Sequence, residues 1–70
     1  MKYAIVIERT ATGFSAYSPD VSGCVATAAT HDEVEQEMKA AIAFHLEGLR
    51  EEGLDIPKPH SSSSYVEVVA

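Results

Sequence analysis

The sequence predicts an α+β domain of order βββαβ: a mixed four-stranded sheet with one long helix packed on one face. Three observations lead there. Short β-branched or alternating segments fill the first 29 residues, a single stretch of helical periodicity follows Thr30, and a β-branched segment, Tyr65–Val69, comes after a loop rich in proline and serine. With 70 residues the chain is expected to form one domain, 1–70, and a chain this short buries only about 60% of its unfolded surface, so its own core is marginal and self-association would help it.

Lys2-Tyr3-Ala4-Ile5-Val6-Ile7-Glu8 is apolar on both alternating faces, which suits a central strand covered on two sides. Arg9-Thr10-Ala11-Thr12-Gly13 reads as a hairpin connection in which Gly13 supplies positive φ. Phe14–Ser18 alternates as a second strand, and it stops at Pro19 and Asp20 because proline lacks the ladder donor and aspartate favours a side-chain turn. After the reversal at Gly23, Cys24–Ala29 is a third strand, weakened by three alanines and dependent on its neighbours for pairing.

Thr30 followed three residues later by Glu33 matches a capping box, in which the threonine oxygen accepts from an early helix N–H and the glutamate reaches back to the cap. Asp32, Glu33 and Glu35 complement the positive end of the helix dipole. The helix is expected to run to Glu52 and stop at Gly53. Val34, Met38, Ala41, Ile42, His45, Leu46 and Leu49 gather on one side as the core stripe. Phe44 falls outside it, either as a contact for a second chain or as a single exposed apolar residue without a role. Leu54–Ser64 cannot be helical with two prolines and offers little to a core, so it reads as a return loop. Tyr65–Val69 then forms a fourth strand, parallel to the first and on the edge away from the third.

The composition narrows the function classes. A net charge of −6 with pI near 4.8 repels a phosphate backbone, so direct nucleic-acid binding is not expected, and it favours encounter with a basic protein, although solubility alone also explains it. There is no apolar run long enough for a membrane span and no signal sequence near the N-terminus, so the expected location is the cytoplasm. One cysteine gives no internal disulfide.

The segment Tyr17-Ser18-Pro19-Asp20-Val21-Ser22-Gly23-Cys24-Val25-Ala26-Thr27, then Thr30-His31-Asp32-Glu33, the helix, and the exit Glu52-Gly53-Leu54-Asp55-Ile56-Pro57-Lys58-Pro59 together resemble the HicB antitoxin family over nearly the whole chain. Ser22 stands where the family usually has proline, and Ala28 where it often has glycine; neither change removes a chemical group. The resemblance implies a partial ribonuclease H-like fold without nuclease function, which binds a small basic toxin that cleaves mRNA. Family members often add a C-terminal DNA-binding segment. Here only Ala70 follows the expected fourth strand, so the expectation is a single-domain member without a C-terminal DNA-binding domain.

A metal-dependent nuclease is the catalytic alternative, and a stand-alone regulator with another protein partner is a third. The acids near strands are Glu8, Asp20, Asp32 and Glu67, spread over a strand end, a turn, a helix start and the last strand, whereas a two-metal site needs carboxylates that converge around ions about 3.5–4 Å apart. His31, His45, His60 and Cys24 match no zinc spacing, and Cys24 reads as a small buried hydrophobe. No catalytic, metal or cofactor residue is therefore assigned. Pro19, Asp20 and Phe44 are the candidate partner or oligomer contacts, with turn formation the simpler reading of the first two. A homo-oligomer, dimer or tetramer, is expected.

Overall fold

The computed structural model describes all residues from Met1 to Ala70. Strands β1 (Val6–Arg9), β2 (Phe14–Tyr17) and β3 (Val25–Ala28) form an antiparallel sheet in the order β1-β2-β3, followed by helix α1 (His31–Glu51). The register pairs Ile7 with Ala16 and Ala16 with Ala26, so these side chains share one face of the sheet. That face meets the helix. Ala16, Val21, Cys24, Val34, Met38 and Ile42 form the buried core, with Tyr3, Ile5, Ile7 and Phe14 packed against it.

The core stripe of the helix is as its periodicity requires: Val34, Met38 and Ile42 are buried, and Ala41, His45, Leu46 and Leu49 are half-buried beside them. Thr30 caps the helix by accepting from the Glu33 N–H at 3.1 Å. The second half of the expected box differs, because the Glu33 carboxylate accepts from the Thr30 hydroxyl at 3.1 Å and not from its backbone N–H. At the other end Gly53 takes φ +72°, Leu54 N–H donates to the Leu49 carbonyl and Gly53 N–H to that of Arg50, which together make a Schellman closure.

Three sequence expectations are corrected. Gly13 does not take positive φ; it is required because a Cβ there would strike the carbonyl oxygen of Ala28 at the end of β3. Tyr65–Val69 is not a strand: residues 54–70 carry no regular structure, and the sheet has three antiparallel strands, without the fourth parallel one that a mixed, ribonuclease H-like sheet needs. Alternating β-branched residues give a segment the capacity to be a strand, but only a free edge within reach makes it one. As a result β1 lies at an edge, half-buried, instead of at the centre.

Candidate partner-binding surfaces

The β2–β3 connection is held from both sides. Val21 is 1% exposed and, with Cys24, plugs this end of the core, while the buried Ser18 hydroxyl donates to the Ala4 carbonyl at 2.9 Å. Between these anchors the Asp20 carboxylate accepts the His60 N–H at 2.9 Å and the Ser61 N–H at 2.8 Å on one oxygen, and the Ser61 hydroxyl at 2.9 Å on the other. The Ser61 N–H, the Ser61 hydroxyl and the His60 N–H favour the charged form and hold the Asp20 carboxyl below its ordinary pKa. Tyr3 adds a second tie by donating its hydroxyl to the Pro57 carbonyl at 2.5 Å. The return loop is thus fastened at two points. Pro19 stands exposed beside Asp20.

The solvent side of α1 carries a different surface. Phe44 is 81% exposed, and Glu47, Gly48 and Glu51 border a shallow hollow of about 210 Å³ beside it. Glu37 lies two turns earlier on the same side, so an aromatic ring sits within an acidic stripe.

A larger groove, about 740 Å³, runs between the β1 edge and α1. Ile5, Ile7, Ile42 and Leu46 supply its apolar wall, and Lys39 and Arg50 are among its charged lining residues. It lies along the edge that a fourth strand would cover. Sequence reading did not find this groove, because its signal is an absence of pairing and not a motif. Val21 was also missed as a core residue: an isolated valine among Pro, Asp, Ser and Gly looks like part of a solvated turn.

The remaining candidates are dispersed. No group of three or more His, Cys, Asp or Glu side chains is arranged to hold a metal ion, so Glu8, Asp20, Asp32 and Glu67 do not converge. His31 sets its ring edge-on to Phe14 at 5.9 Å, His45 is half-buried on the core side of the helix, and His60 serves the Asp20 tether through its backbone. Cys24 is buried, its Sγ–H pointing to the Ala41 carbonyl at 3.8 Å, and burial pushes the thiol pKa up. That is opposite to what a nucleophilic cysteine requires. No helix is long and apolar enough to cross a membrane.

The chain is 36% identical over 66 residues to an uncharacterized 14.9 kDa protein from the rep-hol intergenic region of Haemophilus phage HP1 (strain HP1c1), covering 94% of this chain and 50% of that protein. The chain therefore spans about half the length of this curated relative. A chain of the HicA3 and HicB3 toxin-antitoxin complex superposes with a TM-score of 0.73 at 35% identity, covering 86% of this chain and 70% of that one. Residues 3–69 match the family model for the HicB_like antitoxin of bacterial toxin-antitoxin systems, and the chain belongs to that family.

Proposed function

We propose that this domain neutralises a small, basic, mRNA-cleaving toxin by covering its active surface, without catalysis of its own. The observation that carries the reading is the likeness, at 35% identity and TM-score 0.73, to a chain from a toxin-antitoxin complex. The electrostatics support it: a net charge of −6 favours approach to a basic partner. The acidic stripe around Phe44 offers an aromatic anchor with glutamates at its rim, the arrangement in which a lysine or arginine stem packs on the ring while its charge meets carboxylates. Pro19 and Asp20, at the tip of the anchored β2–β3 connection, form the second proposed contact. The setting is cytoplasmic, where mRNA is.

Co-expression with the product of a neighbouring reading frame that encodes a short basic protein tests this. Relief of growth arrest and a co-purifying complex are expected, and Phe44→Ala should weaken that complex at least about tenfold, or 1.4 kcal/mol, while leaving the fold unchanged. Failure to relieve arrest with any small basic ribonuclease encoded beside it would remove the reading.

A further inference from the structure

We infer that Tyr65–Val69 of one copy completes the sheet of a second copy by adding to its open β1 edge, with the exchange reciprocated across a two-fold axis. Both halves of the interface are present in every chain. The donor segment is strand-forming in pattern yet exposed, with Tyr65, Val66, Val68 and Val69 at 101%, 83%, 79% and 103%. The acceptor is β1, which has a neighbour on one side only, and the apolar groove between it and α1. A β-edge with unpaired N–H and C=O groups beside an apolar groove is a template for one more strand.

Within one chain the donor valines do not reach the acceptor. Tyr65 borders the groove, but Val66–Val69 are not among the residues that line it. The tail stays exposed in the single chain. Its hinge explains why: Ser61 is fastened to Asp20, which leaves Ser62, Ser63 and Ser64 as the only free links before Tyr65. A short hinge held at one end disfavours folding back and favours exchange with a neighbour. Equal numbers of donors and acceptors then close the assembly as a dimer.

The side-chain assignment follows from charge. Val66 and Val68 share one face of the segment and enter the groove against Ile5, Ile7, Ile42 and Leu46, which leaves Glu67 on the opposite face in water. Glu8 of the receiving chain lies on that same outer face, since Ile7 points to the helix.

The test uses the full chain with Cys24→Ala as background. One preparation carries Glu67→Cys, another carries Glu8→Cys, and the two are mixed at micromolar concentration with a short bifunctional thiol cross-linker. A species of twice the chain mass of 7.5 kDa, joined between the two different variants, is expected. A chain carrying both substitutions that closes only on itself overturns the exchange in favour of folding back, and sedimentation as a strict monomer overturns it outright. Val66→Asp with Val68→Asp should weaken association at least about tenfold with helical circular dichroism retained, because both valines are exposed in the single chain. A dimer unaffected by that pair of substitutions overturns the assignment and points to a different face. Cross-linking that appears only after a basic partner is added also overturns it, because the edge then serves the partner and not a second copy.

Discussion

Asp20 and Ser61 are separated by 41 residues and joined by two hydrogen bonds, Ser61 N–H to Oδ2 at 2.8 Å and Ser61 Oγ–H to Oδ1 at 2.9 Å. The pair converts a serine run, by composition a free linker, into a loop with a fixed end. It also sets where the apolar tail begins to be free. Both carboxylate oxygens are used within the chain, so any partner that meets this turn meets Pro19 and the loop backbone as well as Asp20.

The pH dependence of this tie has a definite sign. The folded-state pKa of Asp20 lies below its unfolded value of about 3.9. Its contribution is therefore present above the unfolded pKa and is lost as pH falls through the folded one. The amide resonances of His60 and Ser61 should report an acid titration with a midpoint below the ordinary aspartate value, and Asp20→Asn should abolish it. A midpoint at or above the ordinary value would contradict the hydrogen-bonded arrangement.

Thr30 holds the only side-chain cap at the start of α1. Thr30→Ala removes the acceptor for Glu33 N–H and the donor to its carboxylate, and should cost about 1 kcal/mol in urea unfolding. Thr30→Ser keeps both groups and should cost much less. Equal losses for the two variants would show that the methyl group, not the oxygen, matters.

How much of this was legible depends on whether the cause is local. The cap at Thr30, the core stripe through Val34, Met38 and Ile42 and the Gly53 stop were readable because each depends on neighbours within a turn or two. The resemblance carried by Tyr17–Thr27, the Thr30–Glu33 helix start, the helix and the Glu52–Pro59 exit led to the right family, since each of these motifs is local. The place of Tyr65–Val69 was not readable, since strand pattern specifies capacity and not partner. Gly13 was assigned the right importance for the wrong reason: its constraint comes from Ala28, which the hairpin and third strand bring against it. The Asp20 tether had no signal, because a carboxylate in a turn looks the same whether it serves its own turn or a distant loop.

The small core makes packing changes severe. Met38 is fully buried, and Met38→Ala should cost about 2–5 kcal/mol. A chain of 70 residues carries on the order of 4–10 kcal/mol in total, so the variant should lose a large share of its stability and unfold at a much lower urea concentration by circular dichroism. Gly13→Ala should cost about 1–3 kcal/mol, because the obstructing atom is a backbone carbonyl that cannot rotate aside. A neutral result at Gly13 would mean that β3 ends farther from the hairpin than described.

Cys24 supplies the last prediction. It is 5% exposed, burial raises its pKa, and its neighbours are the apolar core, so the native thiol should resist aromatic disulfide reagents and react only as fast as the domain opens. The linkage sign follows. Because the folded pKa lies above the unfolded value of about 8.5, the thiol's contribution is complete below that value and declines as pH rises toward the folded pKa. Between about pH 7 and pH 9.5 the urea midpoint of the native chain should fall more than that of Cys24→Ala, whatever the two variants' difference at neutral pH. Parallel curves, or fast native labelling, would show that Cys24 reaches solvent and that the end of the core plugged by Val21 and Cys24 is open.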